Sequence, residues 1–257
     1  MATRFPIWVG SIPEAVAGEA ERRFIEALRA APGPFSVALS GGRTPRRFGE
    51  RLAESYELTP VDWAPVHLFQ VDERCVPPEH QASNYRMLQE SLLARAPLPA
   101  SRIHRLRGEL PPPRAAWLAE SEWRDLYPDG TEWPDLDFVV LGMGADGHTA
   151  SLFPGTSALE EGERWVVENY VPQMDGWRLT LTFPVLERAR AGVVLVTGED
   201  KTETLVHVMN PALELDLPIC RLLRANPRLL FLADRDAAYG LDLPPDPLDE
   251  LDVEDLG

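Results

Sequence analysis

Five runs in this chain, FSVAL (35–39), VHLFQV (66–71), DFVVLG (137–142), GVVLVTG (192–198) and RLLFLAD (228–234), are apolar without alternation. A strand with one face in water alternates apolar and polar residues, whereas a continuous run belongs to a strand covered on both faces. The segments between them, 13–31, 83–96, 115–127 and 199–210, repeat apolar residues at three- and four-residue spacing, which predicts helices. Strand and helix in alternation predict a doubly wound α/β fold, a mostly parallel sheet flanked by helices on both faces. WVVENYV (165–171) and WRLTLTF (177–183) are joined by PQMDG, which holds both Pro and Gly, and predict a small antiparallel pair at one side. With 257 residues and no long linker, one α/β domain over 1–240 is expected. It is followed by an acidic, proline-rich tail over 241–257 that has no basic residue.

The formal net charge of −16 argues against nucleic acid as a partner, because such binding relies on a positive field. It also means that an anionic substrate would need cations gathered locally against the overall potential. No apolar run is long enough to cross a bilayer, and MATRFPIWVG lacks the layout of a signal peptide, so no membrane partner is expected and the cytoplasm is the expected location. Cys75 and Cys220 are far apart and form no CxxC, which fits reduced, structural thiols. The expected assembly is a monomer or a weak homo-oligomer.

Ligands of open parallel sheets bind outside the carboxyl ends of the strands, so the residues following each run matter most. After FSVAL comes SGGRTPRRF. Gly41 and Gly42 permit a tight turn and close approach of backbone to ligand, Ser40 or Thr44 can cap, and Pro45 suits a first helical turn. Exposed N–H groups at a helix start bind anions, and Arg43 and Arg46 can add charge, although an ordinary strand-to-helix turn has the same features. After VHLFQV, Asp72, Glu73 and Arg74 end an apolar strand abruptly, as they would if facing a polar cleft or forming a solvated loop, and Asn84 begins a helix nearby. After GVVLVTG, Lys201 stands at a helix start, and Arg178 opens the 177–183 strand; each taken singly reads as a surface cation.

After DFVVLG, the stretch GMGADG holds a Gly-x-Gly-x-x-Gly. A dinucleotide cradle needs its third glycine to open a long helix, but Gly147 is followed by HTASLF and then Pro154-Gly155. What survives is a loop delivering Asp146 and His148 to the mouth of a central strand. Of the five histidines, His148 is the base candidate. His67 begins a strand, His80 and His104 fall in polar loops, and His207 lies in a helix, none with a functional neighbour and none at metal-ligand spacing.

SGGRTP, VDERCVPPEHQASNYRM, LGMGADGHTASLFPG, RLTLTFPVL and VTGEDKTETL occur here in the order found in the 6-phosphogluconolactonase family, which the chain resembles from Phe35 to Asn210. The resemblance implies an α/β fold shared with glucosamine-6-phosphate deaminase and ribose-5-phosphate isomerase. It implies hydrolysis of 6-phosphoglucono-δ-lactone, a small phosphorylated sugar lactone, without metal or organic cofactor. It would place Gly41, Gly42, Arg43 and Thr44 at the phosphate with Arg178 and Lys201, and Asp72, Arg74, Asp146 and His148 at the lactone end, with Asn84 beside them. Either Asp146 or Asp72 would orient His148. Many relatives read GGSTP where Arg43 stands here.

The deaminase is the nearest rival, and its motif resembles HIAFNEP; this chain reads HTASLFP, with Phe153 where the glutamate would stand. A non-catalytic sugar-phosphate sensor is a second rival. Relatives of that kind carry an added helix-turn-helix, whereas residues 1–34 supply one amphipathic helix and no such pair.

Overall fold

The computed structural model describes residues 3–58, 62–128 and 130–242. In chain order the elements are β1 (Ile7–Gly10), α1 (Pro13–Ala30), β2 (Phe35–Leu39), α2 (Arg43–Leu58), β3 (Val66–Gln70), β4 (Asp72–Arg74) and α3 (Asn84–Leu88). They continue with β5 (Ile103–His104), α4 (Pro112–Arg124), β6 (Phe138–Gly142), β7 (Val166–Val171), β8 (Gly176–Leu181) and α5 (Phe183–Glu187). The last are β9 (Gly192–Val196), α6 (Thr202–Met209), α7 (Pro218–Ala225) and β10 (Leu229–Asp234). Seven strands form one sheet in the order β1-β10-β9-β6-β2-β3-β5, with every neighbouring pair parallel.

The continuous apolar runs are explained by two cores, one on each face. Along β6, Phe138 and Val140 enter the core beneath α1 and α2, while Val139 and Leu141 enter the core beneath α4 to α7. Burial on both faces removes the alternation that marks a half-exposed strand. Helix α1 begins with Pro13 in its first turn and buries Val16, Ala17, Ala20, Phe24 and Leu28 along one stripe. Its polar side meets α2 through Glu14, which bonds Arg47 and Arg51 at 2.5 Å each. Those guanidiniums, Arg47 first, hold the Glu14 carboxyl down at about 2.

Several expectations are corrected. The central sheet has two strands more than the five apolar runs, and both are edges. β1 is four residues long, and β5, only two, carries His104, which is therefore not in a loop. The small antiparallel pair of β7 and β8 is joined by β4, so the charged stretch Asp72–Arg74 is a strand and not a loop. The helix expected over 83–96 is α3 followed by a wider π-helical turn at Gln89–Leu93. Helices α5 and α7 had no counterpart in the sequence pattern. Of the tail, residues 243–257 lie outside the described residues. No helix among the described residues is long and apolar enough to cross a membrane.

Candidate active site

A cavity of about 270 Å³ opens where β2, β3, β6 and β9 end. Its lining includes Gly41, Gly42, Arg43, Thr44, Asp72, Arg74, Asn84, His148 and Lys201. Nine of the eleven expected residues thus meet at one place. Asp146 stands behind His148, and Arg178 lies outside the lining.

At one end the chain leaves β2 through Ser40, Gly41 and Gly42 and enters α2. Gly42 sits at φ +117°, a conformation L side chains rarely adopt, and its carbonyl accepts the Arg46 N–H at 3.0 Å. Gly41 is required for a different reason. A Cβ there would fall 1.7 Å from Asn84 Oδ1, so the Asn84 side chain occupies the space a larger residue would need. The first turn of α2 holds no acidic residue, so no carboxylate there competes with an anion at the helix start. Thr44 and Thr197 share a hydrogen bond of 2.7 Å between their hydroxyls, joining this loop to the one after β9.

Lys201 enters from that second loop, which is itself anchored. Gly198 turns at φ +91° and donates its N–H to the buried Asp234 carboxylate at 3.0 and 3.1 Å. Lys201 Nζ lies 3.3 Å from Asp200, whose other oxygen is 3.9 Å from the guanidinium of Arg43. Arg43 is largely exposed, and Arg46 pairs with Glu90, so Lys201 is the more enclosed cation here.

At the other end, the turn after β6 holds His148. Its Nδ1 lies 2.5 Å from Asp146 Oδ1, and its backbone N–H reaches the same oxygen at 3.2 Å. An ionised carboxylate only accepts, so the imidazole donates through Nδ1, and in the neutral ring the lone pair is then on Nε2. Burial pushes the Asp146 carboxyl up, but the hydrogen bonds and charge of His148 outweigh it and hold the group below its ordinary value. Phe153 stacks on the imidazole with ring centroids 3.9 Å apart and planes 26° apart. Gly144 also leaves no room beside the pair: a Cβ there would lie 2.1 Å from His148 Nδ1 and 2.6 Å from Asp146 Oδ1. Sequence alone left open which aspartate orients His148, and Asp146 is the one in contact.

Asp72 has other partners. Its carboxylate accepts Ser151 Oγ at 2.6 Å and Asn84 Nδ2 at 3.2 Å. Asn84 Oδ1 in turn accepts Arg74 Nη1 at 2.5 Å, and the same Nη1 donates to the Ala82 carbonyl at 2.9 Å. Arg178 pairs opposite Arg74 in the small sheet, but its guanidinium folds back on its own hairpin, with Nη1 donating to the Trp177 carbonyl at 3.0 Å. Burial, with Arg74 adding repulsion, lowers its pKa from the ordinary arginine value.

Four contributors were missed or undervalued in the sequence. Ser40 was read only as a cap, yet it lines the cavity, is buried, and its hydroxyl has no hydrogen-bond partner among the described residues. Thr197 follows a strand as a small polar residue, a signal that was available. Gly144 is visible in the sequence as part of GMG, but there its spacing points only to a nucleotide motif. Ser151 carries no local signal, since its contact with Asp72 spans 79 positions. Of the histidines set aside, His67 lies in a strand and His207 in a helix as expected, while His104 lies in β5, where its Nε2 is 3.0 Å from His67 Nδ1 with ring planes 2° apart.

Against known proteins, the family model described as glucosamine-6-phosphate isomerases/6-phosphogluconolactonase matches residues 11–231. The chain is 34% identical to the 6-phosphogluconolactonase of Aggregatibacter actinomycetemcomitans over 206 residues, 80% of this chain and 87% of that protein. It is 40% identical to a probable chloroplastic 6-phosphogluconolactonase 3 of Oryza sativa subsp. indica over 179 residues, and spans about half that protein's length (54%). Among solved structures, the 6-phosphogluconolactonase of Trypanosoma cruzi superposes with a TM-score of 0.82 at 30% identity, covering 95% of this chain and 99% of that one. A monomeric glucosamine-6-phosphate deaminase shares the fold, with a TM-score of 0.77 at 18% identity, covering 91% and 99%. With a match this long and relatives this similar, the chain belongs to the glucosamine-6-phosphate isomerase/6-phosphogluconolactonase family.

Proposed function

We propose that this protein hydrolyses 6-phosphoglucono-δ-lactone to 6-phosphogluconate, the hydrolytic step of the pentose phosphate pathway, with the cytoplasm as its place of action. The observation that carries the proposal is the His148–Asp146 pair opening on the same cavity as the Gly41–Gly42 turn and Lys201. A phosphoryl group fits the end made of the start of α2, Thr44 and Lys201, and the family resemblance assigns Arg43 and Arg178 to the same group. This leaves the lactone carbonyl toward His148 and Arg74.

His148 Nε2 takes a proton from water as the water oxygen bonds to the lactone carbonyl carbon. The carbonyl π electrons move to oxygen, where Arg74 and nearby N–H dipoles stabilise the oxyanion. Collapse breaks the bond to the ring oxygen, which receives the proton from the imidazolium, and the carboxylic acid then ionises. Asp146 keeps the ring in the Nδ1–H tautomer and stabilises the imidazolium that forms between the two steps. Asp72, Asn84 and Ser40 supply polar groups for the sugar hydroxyls.

The deaminase alternative needs a carboxylate beside the histidine. Here Phe153 covers that face of the ring, and its apolar edge relays no proton. The sensor alternative has no helix-turn-helix in its support among the described residues ahead of β2, where the named elements are β1 and α1. The test follows acid release from freshly made 6-phosphogluconolactone above the uncatalysed background, with glucosamine 6-phosphate as control. Catalysed acid release with no ammonia from the control is expected. Ammonia release would favour the deaminase, and binding of 6-phosphogluconate without lactone turnover would favour the sensor.

A further inference from the structure

Glu73 is one of the most buried charged groups in the protein, at 2% exposure, and the mechanism above does not use it. It stands in β4 between Asp72 and Arg74. Side chains alternate along a strand, so its neighbours face the cavity while Glu73 points to the opposite side. There its carboxylate is saturated. Oε1 accepts the backbone N–H groups of Arg74 and Asn84, both at 2.7 Å. Oε2 accepts Gln70 Nε2 at 3.0 Å, Ser83 Oγ at 3.0 Å and the backbone N–H of Tyr85 at 2.8 Å.

These donors are the start of α3 and the main chain of Arg74 itself. Asn84, held through its N–H, sends its side chain into the cavity wall. Its amide bonds the Asp72 carbonyl at 2.9 Å and its carbonyl oxygen accepts Arg74 Nη1 at 2.5 Å. The same oxygen presses against Gly41 of the anion loop. The anion loop, β4 and the start of α3 therefore meet at Asn84, and Glu73 fixes the backbone from which Asn84 projects.

We infer that Glu73 is a positioning residue: by gripping the N–H groups of Arg74 and Asn84 from behind the cavity wall, it sets where the Arg74 guanidinium stands over the reacting carbonyl. The inference rests on the proposed role of Arg74. A carboxylate suits this task better than an amide. All five partners donate, and glutamine would turn an NH₂ toward two or three of them, leaving donors facing a donor. The start of α3 would then shift, and Asn84 and Arg74 with it. Misplacement of a reacting group by about 1 Å is enough to cost about 10² in rate.

The experiment compares kcat and KM for the lactone in Glu73→Gln, Asn84→Ala, the double variant and Arg74→Ala, each normalised to folded protein by near-ultraviolet circular dichroism. Glu73→Gln is expected to lower kcat by about tenfold or more while KM stays within about threefold, because Lys201 and Thr44 at the phosphate end are held by Asp200 and Thr197 and not by this network. If Glu73 acts through Asn84, the double variant should fall little below Asn84→Ala alone. Glu73→Gln with a lower melting temperature but wild-type kcat per folded molecule would overturn the inference and leave Glu73 a purely structural group. Full multiplication of the two single effects would overturn it as well. Should Glu73→Gln fail to fold, Ser83→Ala removes one donor and leaves the carboxylate. A fall in kcat of about twofold to fivefold supports the inference, and an unchanged kcat counts against it. Arg74→Ala separates the two levels. Full turnover there would sink the proposed role of Arg74, whereas a large loss there beside a normal Glu73→Gln would sink only the role of Glu73.

Discussion

Replacing Gly144 with alanine tests whether the His148–Asp146 pair is the working base. The backbone at this position is not in the left-handed region that glycine alone tolerates, so alanine meets no backbone objection. The objection is steric and local. The new methyl would stand 2.1 Å from His148 Nδ1, 2.2 Å from Cε1 and 2.6 Å from Asp146 Oδ1. Ordinary contact at about 3.4 Å requires the ring to retreat by about 1.3 Å, and Phe153 already stacks on that ring with centroids 3.9 Å apart, which restricts its retreat. The pair must therefore part, forfeiting a charge-assisted hydrogen bond worth about 1.5–3 kcal/mol and misplacing Nε2 by about 1 Å. Gly144→Ala should lower kcat by about 10², with KM and affinity for 6-phosphogluconate little changed because the phosphate end is distant. The assay is initial-rate acid release, paired with isothermal titration of the product. A variant whose kcat stays within threefold of wild type would refute the proposed base.

His148→Ala should lower kcat by about 10² to 10⁴ with little effect on KM, measured in the same assay, and a fully active variant would remove the imidazole from the mechanism. Lys201→Ala and Arg178→Ala should instead raise KM for the phosphorylated lactone and leave hydrolysis of unphosphorylated gluconolactone unchanged; equal losses on both substrates would contradict the phosphate assignment. The His67–His104 pair predicts a pH effect on stability away from the site. Burial, reinforced by the neighbouring His67, pushes the His104 pKa down to about 4, and burial lowers that of His67 as well. A depressed histidine is neutral in the fold but protonated in the unfolded chain below about pH 6.5, so stability is complete above that value and falls as pH drops toward about 4. His104 is partly exposed, and after allowance for screening by water its share is about 1–2 kcal/mol. His104→Phe should therefore show a smaller drop in melting temperature between pH 7 and 4.5 than wild type, and parallel curves would count against the pair.

The fold was legible wherever burial on both faces imposed its pattern. β2, β3, β6, β9 and β10 all appear as continuous apolar runs because each lies between two helical layers. The two edge strands were not legible, since β1 has four residues and β5 two, too few for a period to declare itself. β4 failed for a different reason. Asp, Glu and Arg are poor strand formers by propensity, and these three are in a strand because long-range hydrogen bonds from Ser83, Asn84, Tyr85 and Ser151 satisfy the two carboxylates. None of those partners lies within the window from which local structure is judged.

The same division runs through the site. Residues following a strand end could be found by asking what stands at each carboxyl terminus of the sheet, and this led to Gly41, Gly42, Asp72, Arg74, Asp146, His148 and Lys201. What could not be found that way is how these groups are held. Asp146 and His148 are two positions apart, so their pairing was foreseeable, but the choice between Asp146 and Asp72 depended on Ser151, 79 positions from Asp72. Gly144 shows why a motif scan alone misleads here. Its glycine follows not from a pyrophosphate needing close approach but from the imidazole and carboxylate of its own loop, which fill the place of the missing side chain. Gly144 of GMGADG therefore serves side chains of this protein. Substituting Gly144 should injure turnover before it injures binding, the reverse of what a nucleotide cradle would do.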